Sequence, residues 1–144
     1  MVDFENIRVE EAINHIRRRQ EENRSRLEET NNLAMELIRL GRQREAKRLI
    51  DESVSGHLRL LARAEQCENC GDLEDAAELL WENIYVNGAD SAVNFRKLMN
   101  VLRKLGCCEG ELKVAEIFLH FTDRFVADEI LARMKDVRKM QARI

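Results

Sequence analysis

The stretch Ala34-Met35-Glu36-Leu37-Ile38-Arg39-Leu40-Gly41-Arg42-Gln43-Arg44-Glu45-Ala46-Lys47-Arg48-Leu49-Ile50 decides the reading of this chain. Its spaced positions are Ala34, Leu37, Leu40, Gly41, Ala46 and Ile50. Thirty residues later the same spacing returns as Ala64, Cys67, Cys70, Gly71, Ala76 and Leu80. A third copy begins Met99, Leu102, Leu105, Gly106 and resumes four residues late at Ala115 and Leu119, which reads as an insertion around Cys107 to Gly110. A period of this size points to an array of supersecondary units rather than a catalytic domain.

Working outward, the chain divides into helices bounded by glycines and polar clusters. Val9, Ala12, Ile13 and Ile16 share one face of a first stretch that runs to Leu40. Arg17 to Thr30 is so polar that either one long helix spans Val9–Leu40 or the helix breaks near Ser25. Gly41 ends it, because glycine accepts the left-handed backbone that closes helices. The pattern then predicts helices over Gln43–Val54, stopping at Ser55-Gly56, and over Leu58–Cys70. A further helix capped by Asp72 runs to Val86, and another covers Ser91–Leu105 with Asp90 or Ser91 as its cap. The last two fit Glu111–Phe121 and Val126–Ala142, the latter carrying a stripe of Ile130, Met134, Val137, Gln141 and Ile144. Seven helices joined by short turns make neighbours antiparallel, so the expected fold is all-α, a run of helical hairpins. Leu40, Cys70 and Leu105 are expected as equivalent buried positions. Phe118, Phe121 and Phe125 are expected in the core where the last two helices meet.

The composition supports this. The chain has 144 residues, 35% charged and 44% hydrophobic, with six glycines and no proline. Helix formers dominate and strand formers are sparse. A formal charge of −3 argues against a general nucleic-acid binder or a membrane-surface protein. No run approaches the roughly eighteen apolar residues of a spanning helix, and no charged-then-apolar leader opens the sequence, so a cytoplasmic location is expected.

Leu27 to Gly56 and Leu58 to Gly88 resemble tetratricopeptide repeats. In that family two antiparallel helices approach at small residues, here Ala34 with Ala46 and Ala64 with Ala76, around a turn glycine, here Gly41 and Gly71. Large residues, here Ile50 and Leu80, fill the adjacent groove. The usual aromatic positions carry Leu37 and Cys67, and the terminal proline is absent. The resemblance implies a short solenoid over residues 27–125, with an N-terminal helical extension (1–26) and a C-terminal capping helix (126–144). It implies an adaptor or scaffold that binds a protein, peptide or helix on the face built from the first helices of the repeats. Carried onto this sequence, that face includes Asn31, Met35, Ile38 and Arg39, then Leu58, Leu61, Glu65 and Asn69, then Arg96, Asn100, Arg103 and Lys104. Arg96 and Asn100, one turn apart, resemble a pair that donates to a peptide carboxylate.

Other chemistry is thinly signalled. Cys67-Glu68-Asn69-Cys70-Gly71 has the form of half a zinc site, with Cys107-Cys108 as its other half. Yet the first pair occupies slots that are leucine in the other copies, so packing accounts for both and no metal or cofactor is expected. The histidines are scattered and no phosphate loop or nucleophile elbow occurs, so no catalytic residues are expected. Arg17-Arg18-Arg19, Arg24 and Arg26 are offset by Glu21, Glu22, Glu28 and Glu29, and no aromatic is interleaved for base stacking. Trp81 and Tyr85 read as covering the next hairpin or as an exposed anchor. The apolar patch Phe4, Ile7, Val9, Ile13 and Ile16 heads a helix too polar to bury, which predicts a homodimer through the N-terminal helices unless the patch docks on its own chain. That oligomer and a small nucleic-acid-associated helical protein stand as the alternatives to the interaction module.

Overall fold

The structure, a computed structural model, describes residues 2–89 and 91–143. A short 3-10 helix, Phe4–Asn6, precedes six α-helices: α1 (Val9–Arg39), α2 (Gln43–Asn69), α3 (Leu73–Tyr85), α4 (Ala92–Lys104), α5 (Cys108–Leu119) and α6 (Arg124–Ala142). No strand occurs among the described residues. The chain is the all-α arrangement of helical hairpins that the spacing predicts.

The repeated pattern has one local cause. At Gly41 (φ 79°), Gly71 (φ 84°) and Gly106 (φ 73°) the backbone is left-handed. The Arg42 N–H donates to the Leu37 carbonyl at 2.8 Å and the Gly41 N–H to the Ile38 carbonyl at 2.9 Å. The same pair of bonds recurs from Asp72 to Cys67 and Gly71 to Glu68, and from Cys107 to Leu102 and Gly106 to Arg103. Each is a Schellman closure, which satisfies the last carbonyls of a helix and reverses the chain. The alanines on either side of the first two turns are buried, Ala34 with Ala46 and Ala64 with Ala76, and small side chains there let paired helices approach closely.

Two boundaries differ from the pattern, and at a third place the structure chooses between the two readings. α1 is one helix, without a break at Ser25. α2 runs through Ser55-Gly56, so the expected second and third helices are a single rod and the two expected repeat units share it. A glycine inside a helix costs only about 1 kcal/mol relative to alanine, too little to stop it without a competing turn. Nor does the third copy carry an insertion. α5 begins at the same offset from its turn glycine as α2 and α3, and the Glu111 N–H bonds the Cys107 carbonyl as Ala46 bonds Arg42 and Ala76 bonds Asp72. Glu111, not Ala115, therefore occupies the small-residue position. Residue 26 lies within α1, so the N-terminal extension is continuous with the first hairpin. Asp90 and Ile144 fall outside the described residues; Ser91 stands at the N-terminus of α4.

The core lies among the first half of α1, the second half of α2 and α3 to α6, with Ile16, Leu80, Ile84, Phe95, Leu98 and Phe118 all deeply buried. Phe95 stacks on Phe118 with ring centroids 4.7 Å apart. Phe125, at 89% exposure, is not in that core; it sits in the first turn of α6, ahead of the buried Ile130, Met134 and Val137. Leu40, Cys70 and Leu105 are also exposed. They are equivalent, as expected, but each is the residue just before a turn glycine and faces out, while the half-buried Cys67 and buried Leu102 face in.

Phe4, Ile13 and Ile16 are buried within the chain. Phe4 meets the edge of Trp81 at 6.0 Å, Trp81 stacks on Tyr85 at 5.3 Å, and Tyr85 stacks on His15 at 3.9 Å. This aromatic column fastens the start of α1 along α3, so the N-terminal patch docks on its own chain. The condition for dimerising through it is not met, and Trp81 and Tyr85 cover α1 rather than the following hairpin.

Candidate interaction surface

Beyond the body, α1 and α2 continue as a two-helix arm. The last hydrogen bond from α1 to the body is made by the Asn23 side-chain amide, which donates to the Asn87 carbonyl, one turn beyond Arg19 Nε donating to the Val86 carbonyl at 2.6 Å. From α2 the last is at His57. Its Nδ1 lies 3.1 Å from Asn83 Oδ1, and its carbonyl accepts from Asn83 Nδ2 at 3.2 Å. Asn83 is buried and also donates to Asn94 Oδ1 at 3.0 Å, tying the base of the arm to α3 and α4. Gly88 (φ 67°) makes this junction possible. A Cβ there would lie 3.1 Å from the Gln20 backbone nitrogen and 3.2 Å from the Arg19 carbonyl carbon. From Asn23 to Leu40 at 1.5 Å per residue, the arm projects about 25 Å.

Along the arm, Ala34 and Ala46 are buried, but the large aliphatic residues are not. Leu27, Leu33, Met35 (69% exposed), Ile38, Leu40 and Ile50 (40% exposed) are open to solvent. Ile38, Ala46 and Ile50 line an apolar notch near the tip with the stems of Gln43 and Lys47. At the base, Leu27, Leu58 and Leu61 line a cleft of about 450 Å³ together with Gln20, Asn23, Asn83 and Asn94. Helical spacing places Asn31 and Met35 between the two, four residues apart from Leu27 onward. Leu27, Met35 and Ile38 thus share one face of α1, interrupted by Asn31, whereas Leu33 and Leu40 lie on the opposite side of that helix. The arm's tip is cationic, Arg39 to Arg48 holding five cations against the single carboxylate Glu45, while at the base the four carboxylates of Glu21 to Glu29 are offset by Arg24, Arg26 and Arg59 of α2, Arg24 lining the basal cleft.

The sequence-derived positions divide between two places. Asn31, Met35, Ile38, Leu58 and Leu61 converge on the apolar face of the arm, and Arg39 stands at its tip, bonded to Glu36. The α4 group faces elsewhere and its charges are matched within the chain. Arg96 bonds Glu129 of α6 at 3.0 Å, and Lys104 bonds Glu68 of α2 at 2.7 Å, beside a parallel Lys97–Glu65 pair at 2.5 Å. Asn100 is exposed on the same helix.

Arg103 has a different partner. Its Nη2 is 2.9 Å from Oε1 of Glu111, and Arg133 Nε donates to the same oxygen at 2.7 Å. Glu111 is fully buried (0% exposed), so two guanidinium groups from α4 and α6 hold one carboxylate on α5. A buried carboxylate needs such partners, because desolvation alone costs several kcal/mol. Arg103 therefore fastens the body together. This pairing was illegible because an assumed insertion hid Glu111 from the alignment of the three copies.

Among the described residues no three His, Cys, Asp or Glu side chains come together as a metal site, and no helix is long and apolar enough to cross a membrane. Burial pushes the Cys107 thiol above its ordinary range. Comparison with protein-family models, with curated proteins and with solved structures returns no match.

Proposed function

We propose that the protein is an interaction module whose docking element is the projecting α1–α2 hairpin. The observation that carries this is the run of large aliphatic side chains left in solvent on an arm whose two alanines already close its own helix pair. Exposed apolar surface that is contiguous and rimmed by charge marks a contact with another macromolecule. The body, by contrast, buries most of its aliphatic residues, though Val93, Leu105 and Leu131 are exposed, and it pairs its groove cations internally. The resemblance to tetratricopeptide repeats rests on the helix–glycine turn–helix unit and the small residues around it. It places a partner on the first helices of the units, and on α1 and the middle of α2 its positions are those of the arm's apolar face. The α4 residues Arg96, Asn100, Arg103 and Lys104 are set aside as contacts, since three of them hold ion pairs within the fold.

A photo-crosslinking residue at position 38 tests this in cells, against the same residue at position 131, an exposed apolar position on α6. The arm reading expects one discrete adduct from position 38 that disappears when Ile50 is changed to aspartate, and none from position 131. Equal, diffuse labelling from both positions overturns it. A nuclease-sensitive adduct would instead favour nucleic acid as the partner and remove the protein-docking reading.

A further inference from the structure

We infer that the cleft at the base of the arm binds an aliphatic carboxylate, presented either by the end of a partner's chain or by a small free acid. Only the first of these sources rests on the arm being the docking element. The cleft encloses about 450 Å³, within the usual range of small-ligand sites. Leu27 of α1 with Leu58 and Leu61 of α2 give it an apolar side. Gln20 and Arg24 precede Leu27 on the same stripe of α1, so polar donors run on directly from the leucines. Those donors are uncommitted. Gln20 Nε2 is buried and has no acceptor among the described residues, an N–H that burial makes costly to leave unbonded. Arg24 makes no ion pair or hydrogen bond among the described residues, although Glu21 and Glu28 lie about one turn to either side of it on α1. The Ser91 hydroxyl, also in the cleft, accepts from Asn94 Nδ2 at 2.8 Å and does not cap α4, which leaves its own proton to donate.

Charge selects the ligand class. None of the described lining residues is a carboxylate, in a chain that holds 27 acidic residues against 24 basic ones. One guanidinium suits one negative charge and grips a planar carboxylate through two parallel N–H donors. A phosphate dianion would find a single full countercharge, and a cation would meet Arg24 with no acid in the cleft to offset it. An aliphatic body completes the fit by covering the three leucines, as apolar walls with a few placed polar groups do in ligand sites. The cleft is held in shape from beneath, because buried Asn83 ties the His57 carbonyl, next to Leu58, to Asn94 on α4.

Nuclear magnetic resonance of the isotope-labelled full chain tests this. The chain is titrated to about 20 mM, at constant pH and salt, with isocaproate, with N-acetyl-leucyl-leucine bearing its free carboxylate, and with the primary amide of each. At least one carboxylate should shift the side-chain amide signals of Gln20, Asn23 and Asn94 saturably, with a Kd of about 1 mM, and its amide should bind at least about tenfold more weakly. Arg24→Gln should weaken the carboxylate by about tenfold, and Leu58→Asp should abolish binding, the spectrum of each variant showing it folded. A dipeptide at least about tenfold tighter than isocaproate makes the ligand the end of a partner's chain; equal or weaker dipeptide binding makes it a small acid. No saturable shift from either carboxylate, amides that bind equally, or an unchanged Arg24→Gln overturns the site. A position-38 adduct without binding here leaves the arm reading standing and removes this one. Binding here without an adduct does the reverse and leaves a small-acid site.

Discussion

The arm and the body are built from the same unit and end differently. Gly41 and Gly71 close their helices with the same two hydrogen bonds, and Ala34, Ala46, Ala64 and Ala76 are all buried. One turn further on, Ile50 is 40% exposed and Leu80 is 1% exposed. The unit specifies a close pair of helices and nothing more. In the body α4 and the start of α1 pack against α3, and Leu80 belongs to the core they share. On the arm no such layer exists among the described residues, so the same aliphatic position becomes surface. A two-helix layer can bury one stripe; a second stripe needs another element against it.

The contrast is broken most severely at Glu111, where the third copy puts a carboxylate in the alanine position. R103M/R133M leaves that carboxylate buried and unpaired, and the chain should lose about 3 to 5 kcal/mol. R103M/R133M/E111L should recover most of it, since an apolar replacement of a whole buried ion group is often neutral. Urea unfolding measures both. A double variant as stable as wild type would show that Glu111 is not held as described.

Next in size is the aliphatic position itself. Leu80→Ala should cost about 3 kcal/mol in urea unfolding. Ile50→Ala should cost under about 1 kcal/mol, because little is removed from packing. Equal costs would mean that the arm is covered by its own chain.

Turn glycines give a smaller version of the same comparison. Gly41→Ala strains only its left-handed backbone, with open space around the new Cβ, and should cost about 1 kcal/mol. Gly88→Ala adds the contact with the α1 backbone at Arg19 and Gln20, and should cost about 2 kcal/mol or more. A reversed order in thermal or urea unfolding would remove Gly88 from its place as the arm's seat.

The smallest effect has the opposite sign. Gly56 is helical, with nothing within 4 Å of its missing Cβ, so Gly56→Ala should stabilise the chain by about 0.5 to 1 kcal/mol. Destabilisation there would restore the turn that Ser55-Gly56 suggests.

Much of the fold is legible because its determinants are local. Glycines at Gly41, Gly71 and Gly106 and the alanines around them act through backbone geometry and side-chain size, which a spacing pattern records directly. The misreadings all concern what lies beyond the neighbouring helix. Ser55-Gly56 resembles a stop, but the flanking residues propagate the helix and His57 is held by Asn83 from another element. Leu40, Leu105 and Phe125 look like core by hydrophobicity alone, and nothing in a periodicity tells whether a third layer arrives. The site was half legible for the same reason. Asn31, Met35, Ile38, Leu58 and Leu61 share a face by helical spacing, whereas Arg96, Arg103 and Lys104 meet carboxylates on α6, α5 and α2 that no local pattern links to them.

Hydrogen exchange of the full chain at low micromolar concentration tests the central contrast most directly. Local opening follows the density of packing, and an arm without a covering layer should open at far lower free energy than the body. The amides of residues 28–38 and 44–54 are therefore expected to exchange at least about a hundredfold faster than those of residues 77–84, 96–102 and 112–118. Equal protection of the two sets would contradict an uncovered arm, and with it the assignment of the α1–α2 hairpin as the surface this protein offers to a partner.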